Sequence, residues 1–232
     1  MTPTDLGPVP AEQPLTYPGR PVTKPTLLSG NELLPWDPAA LTGRTPVIAV
    51  GSNASPAQLR HKLRREGLSG LVPLAPAEVR GIAVGCSAHI GVHGYVAAAP
   101  YAAPGTTRTL VISWLDPAQL AAVDRTEFNY QRVPAPGGTG FLYVSRHGIL
   151  ADPDTGRPHP GARDQRALLT ALLAASPRLR ALLGPGPEHW VARARAEPEA
   201  REAGKRIFVE EGWVRPAGLV ITGEPSTPRL SS

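Results

Sequence analysis

The chain has 232 residues, a formal net charge of +5 and one cysteine, Cys86. That length allows one domain with appendages or two small ones, and it is long enough to bury a core. A single cysteine excludes an internal disulfide and any multi-cysteine metal site, and it suits a reducing, cytoplasmic setting. No apolar run approaches a membrane span, and the opening MTPTDLGPVPAEQPL lacks the basic start and apolar block of a signal peptide, so no membrane association is expected. The positive charge is mostly arginine. Aromatic residues make up only 5% and do not alternate with basic ones, so a solvated basic surface is expected and not a nucleic-acid interface.

Much of the excess of proline (28) and glycine (24) lies near the two ends. Residues 1–45 carry Pro3, Pro8, Pro10, Pro14, Pro18, Pro21, Pro25, Pro35 and Pro38 with little periodicity. They read as an irregular arm, disordered at its start and pinned later by Leu27-Leu28 and Leu33-Leu34-Pro35-Trp36. The ordered domain, 46–150, opens with the apolar run Pro46 to Val50, a buried strand that ends at Gly51-Ser52-Asn53. Ser55 then caps a helix with Pro56 at its first position and Gln58 completing a capping box; Leu59 and Leu63 face the core and Gly67 stops the helix. Strands follow at Val79–Ser87, Gly94–Ala99 and Arg108–Leu115.

Asp116-Pro117 starts a second helix, with Gln119 able to return a side-chain bond to the cap. Further strands are expected at Tyr130–Val133 and Phe141–Leu150, separated by the turn Pro134–Gly140. One early and one late helix among five or six strands is not the alternation of a doubly wound sheet; it suggests α+β with a mixed sheet curled towards a barrel. Residues 151–222 form a helical extension, with helices over Arg163–Ala175 and Leu179–Leu183 and another in Glu188–Ala203 broken near Pro198. Ile207 to Val209 and Trp213 are placed to dock it onto the domain. Residues 223–232 are a tail.

Two stretches can carry chemistry. In the second helix Leu120, Val123 and Glu127 fall at i, i+3 and i+7, an apolar stripe that ends in a carboxylate. If the helix persists, Glu127 points inward, where desolvation raises a carboxyl pKa and suits it to acid/base work; if it frays by Thr126, Glu127 faces water. Gly51-Ser52-Asn53 either gathers N–H donors for a carboxylate or oxyanion or is an ordinary strand-to-helix turn. His89 and His93 have metal-like spacing only in a helix, and Gly91 and Gly94 make this a turn, so no metal site is expected. Cys86 reads as a small buried hydrophobe. No nucleophile elbow, phosphate loop or dinucleotide fingerprint is present. One carboxylate with N–H donors and no nucleophile fits an intramolecular reaction: in a γ-glutamyl amide the α-amine attacks its own γ-carbonyl, and the tether is worth roughly 7–11 kcal/mol of barrier.

Val50-Gly51-Ser52-Asn53 followed by Ser55-Pro56-Ala57-Gln58-Leu59 is similar to the Tyr-Gly-Ser-Asn opening of the γ-glutamylcyclotransferase-like superfamily. Val123 to Glu127 followed by Tyr130-Gln131-Arg132 resembles that family's Leu-Asp-x-x-Glu…Tyr-x-Arg signature. The resemblance covers roughly residues 46–150. It implies a small mixed β-barrel with flanking helices, Glu127 as the acid/base residue, and a substrate pocket lined by Val50, Gly51, Ser52, Asn53 and Tyr130, without metal or cofactor. Val50 stands where the motif usually has tyrosine, and Phe128 where small residues often follow the glutamate. Tyr130 and Arg132 are expected to support the pocket more than to do chemistry.

The function expected is an acyltransferase or lyase that releases 5-oxoproline and a free amine from a small γ-glutamyl amide. The alternatives are a non-catalytic binding or interaction protein on the same fold, with its basic C-terminal region facing an acidic partner, or a biosynthetic enzyme acting on another acyl amide.

Overall fold

In the computed structural model, which describes residues 5–161 and 163–219, the arm already contributes two strands, β1 (Thr26–Ser29) and β2 (Glu32–Leu34). Then come β3 (Thr45–Ala49), α1 (Pro56–Arg65), β4 (Val72–Cys86), β5 (Ala98–Leu115), α2 (Pro117–Thr126), β6 (Tyr130–Pro134), β7 (Phe141–Ser145) and β8 (Ile149–Leu150). The extension supplies α3 (Gln165–Ala175), α4 (Pro177–Leu183), α5 (Pro187–Ala196), α6 (Pro198–Glu210) and β9 (Val214–Arg215). The fold is mixed α+β, as expected. The tail at 223–232 and the end of the 151–222 extension lie outside the described residues.

Seven strands form one mixed sheet in the order β2-β1-β4-β5-β3-β7-β6, with β3 and β7 its parallel pair. The sheet does not close into the expected barrel. Closure needs a ladder from the β7 side back to β4, and among the described residues only the single bridge Ser87↔Ile149 spans that gap. The chain turns at Arg146-His147-Gly148 after β7, and β8 pairs with β9 in a separate two-stranded sheet.

The three strands expected between 79 and 115 are two long ones. β4 and β5 pair from Leu74↔Ser113 to Cys86↔Ala98. Glycines and prolines hid their length: at Gly81 (φ +80°) the register shifts, and Ala103 to Thr106 bulge out opposite that one residue. Thr26 to Leu34 is too short for a periodic signal, so the arm looks irregular in sequence, yet β1 pairs along Val72 to Leu74.

β3 shows the strand period cleanly. Val47 and Ala49 face a core layer with Leu59 and Leu63 of α1 and Val123 of α2, while Ile48 faces Ile82, Ile112 and Leu142 on the other side of the sheet. Leu59 and Leu63 are fully buried, worth roughly 1.5–3 kcal/mol each. Gly67 (φ +67°) ends α1 as expected, with the Leu68 N–H returning to Leu63 O at 3.0 Å. Helices α3 to α6 pack Leu169, Leu172, Leu179, Trp190 and Phe208 into a second layer with Cys86 and Val96. Gln165, fully buried, holds both polar groups of Val96 (3.0 and 2.7 Å) and so ties this layer to the loop before β5. Among the described residues no helix is long and apolar enough to cross a membrane.

Candidate active site

After β3 the chain makes one 3-10 turn, Ser52–Ala54, before α1 begins. Gly51 at the head of this turn is required by a close approach: a Cβ there would lie 2.2 Å from Tyr17 Oη. Tyr17 comes from the arm, is 3% exposed, and its hydroxyl accepts from the Ala98 N–H at 2.8 Å.

Helix α2 stops at Thr126, and Glu127 is its C-cap (φ −100°, ψ 35°). Each sequence reading of this residue was half right: the helix does end before Glu127, yet the side chain turns inward and is 16% exposed. Its Oε1 accepts from Asn53 Nδ2 at 3.0 Å and from Lys62 Nζ at 2.7 Å, and Lys62 Nζ also donates to Asn53 Oδ1 at 2.8 Å. The three groups close a triangle between the Gly51–Asn53 turn, α1 and the end of α2. Glu127 is therefore not a carboxylate among apolar neighbours, as the stripe implied; an ammonium, itself only 12% exposed, stands against it.

The preceding residues hold this corner rigid. Asp124 takes a two-pronged contact from Arg132 (3.0 and 3.2 Å) and the Tyr143 hydroxyl at 2.7 Å, which fastens the last turn of α2 to β6 and β7. Arg132 thus ties β6 to the end of α2.

Val50, Gly51, Ser52, Asn53, Glu127 and Tyr130 all line one cavity of about 240 Å³. Tyr17, Lys62, His89 and Tyr95 line it too. Comparison with family models, curated proteins and solved structures finds no match for this chain. The reading of the site therefore rests on its own geometry. Burial raises the hydroxyl pKa of Tyr17, Tyr95 and Tyr130, so all three remain neutral. Tyr130 donates to Ala98 O at 3.0 Å, which makes it part of the wall.

His89 and His93 both line the cavity. His89 is 4% exposed and meets Ser87, whereas the His93 ring lies 5.7 Å from Tyr95. Cys86 is fully buried against Pro160 O, and burial pushes its thiol up to about 12, which makes it a packing residue.

Sequence reasoning missed Tyr17, Lys62 and His89. Tyr17 carried no signal, since only the path of the arm brings it to Gly51. Lys62 did carry one: it lies three residues after the buried Leu59, so a cation was entering an otherwise apolar face.

Proposed function

We propose that the chain is a small-molecule cyclotransferase of the γ-glutamylcyclotransferase-like type, releasing 5-oxoproline and a free amine from a γ-glutamyl amide. The observation that carries this reading is the meeting of Glu127 with the Gly51–Asn53 turn inside one open cavity. The binding-protein alternative called for an exposed or filled-over carboxylate, and a side chain 16% exposed on an open cavity favours the enzyme.

Glu127 takes a proton from the substrate α-ammonium. The freed amine attacks the γ-carbonyl carbon, the tetrahedral intermediate expels the amide nitrogen, and the proton held by Glu127 passes to that leaving group. The C–N bond that forms replaces the one that breaks, and no water is consumed. The substrate ammonium competes with Lys62 for Glu127, which frees Lys62 for the substrate α-carboxylate.

A panel of γ-glutamyl amines, with 5-oxoproline measured as product, tests the proposal. Glu127→Gln should lower kcat by roughly 10²–10⁴. Unchanged turnover in that variant overturns the role of Glu127, and no 5-oxoproline from any member of the panel overturns the function.

A further inference from the structure

Behind the cavity wall lies a chain of buried polar side chains that the reaction above does not use. Ser87, Ser145 and His89 are 0%, 2% and 4% exposed. Ser87 Oγ lies 2.6 Å from Ser145 Oγ and 2.5 Å from His89 Nδ1, and Ser145 Oγ accepts from the His147 N–H at 3.0 Å. In the Nε2–H tautomer of His89, Nδ1 accepts from the Ser87 hydroxyl. Tyr130, the other hydroxyl beside Ser87, gives its own hydrogen to Ala98 O and keeps an oxygen that can accept from Ser87. With Ser87 donating to Nδ1, Ser145 gives its hydrogen to Ser87. A neutral imidazole that accepts at Nδ1 carries its proton on Nε2. Among the described residues Nε2 has no partner, yet it is not one of the side-chain atoms buried without one. It therefore keeps some accessible surface, and His89 lines the cavity.

We infer that His89 presents a fixed Nε2–H donor to the cavity and that this donor takes the carbonyl oxygen of the bound γ-glutamyl amide as it becomes an oxyanion. The inference rests on the cyclotransferase reading for the identity of the ligand. His89 suits the task because burial, with His147 and Lys205 nearby, lowers its pKa to about 3. It stays neutral while it donates, and a neutral ring keeps its tautomer as the reaction proceeds. Glu127 moves the proton and His89 holds the oxygen.

Protein labelled with ¹⁵N in its histidines tests this by long-range ¹H–¹⁵N correlation, with 5-oxoproline as the probe ligand. The free protein should show His89 protonated on Nε2 at neutral pH, and saturating 5-oxoproline should move that resonance while leaving His159 in place. His89→Leu should lower kcat on the best γ-glutamyl amide about 100-fold with a far smaller change in KM, and His89→Gln, whose amide reaches a similar place, should recover much of it. An Nδ1–H tautomer, a resonance unmoved by 5-oxoproline, or a folded Leu variant within about twofold of the parent kcat overturns the inference. A resonance that moves in a protein releasing no 5-oxoproline would keep the donor and discard the cyclotransferase reading.

Discussion

Helices α1 and α2 start with the same four residues, Pro-Ala-Gln-Leu, behind a good N-cap residue, and the two starts are wired differently. At α2 the capping box forms: Asp116 Oδ1 accepts from the Gln119 N–H at 2.9 Å and Gln119 Oε1 from the Asp116 N–H at 3.1 Å. At α1 it does not. Ser55 makes no side-chain bond, its Oγ is buried without a partner, and Gln58 Oε1 accepts instead from the Ala11 N–H at 3.1 Å. A capping box therefore needs more than the right residues at the right spacing, because a tertiary partner can claim the glutamine first. In α1 that partner is the proline-rich arm, the same segment that lays Tyr17 over Gly51. The start of α1 serves the arm and hence the cavity wall; the start of α2 serves its own helix.

The difference can be broken at the glutamines, where the largest effect lies. Gln119 is 1% exposed and does four things at once: it closes the box, donates to Ser69 O (2.8 Å) and Leu71 O (3.1 Å), and accepts from Arg44 at 2.8 Å. Gln119→Ala takes the partner from several part-buried groups and should cost about 3 kcal/mol in urea unfolding. Gln58→Ala loses one bond to a backbone N–H and should cost about 1 kcal/mol. Equal losses would mean that Gln58 holds more than Ala11, and the contrast between the two starts would fall.

The same contrast shows what was legible in the sequence. Signals confined to a few neighbours read well: proline at N1, Gly67 after α1, the apolar run of β3, and the end of α2 at Thr126 as one of two alternatives. Features that depend on distant chain did not. β1 and β2 were invisible because Thr26 to Leu34 becomes strand only against β4. β4 and β5 looked like three short strands because Gly81 and the Ala103 to Thr106 bulge interrupt their pattern without interrupting the hairpin. The site divides in the same way. Glu127 and Gly51 to Asn53 were found from local motifs, and the cavity joins them. Lys62 was missed because its ion-pair partner, Glu127, lies 65 positions away, and His89 because the Ser87 that meets its ring is itself held by Ser145, 58 positions from Ser87.

The smallest effect, and the sharpest test of the comparison, lies at the two N-caps. Asp116→Ala removes a working cap and should cost about 1 kcal/mol. At Ser55 the same substitution should cost nothing. The hydroxyl is packed against the arm, close enough that a Cβ on Gly19 would sit 2.9 Å from Oγ, and it has no hydrogen-bond partner there. Ser55→Ala removes an unsatisfied buried oxygen, a gain of about 1–3 kcal/mol, and leaves a gap of roughly one atom that offsets much of it. Urea unfolding should therefore place Ser55→Ala between the parent stability and about 1 kcal/mol above it. A loss comparable to that of Asp116→Ala would show that Ser55 caps α1 in solution. The arm would then not hold the start of that helix, and the link from Gln58 through Ala11 to Tyr17 over the cavity would lose its anchor.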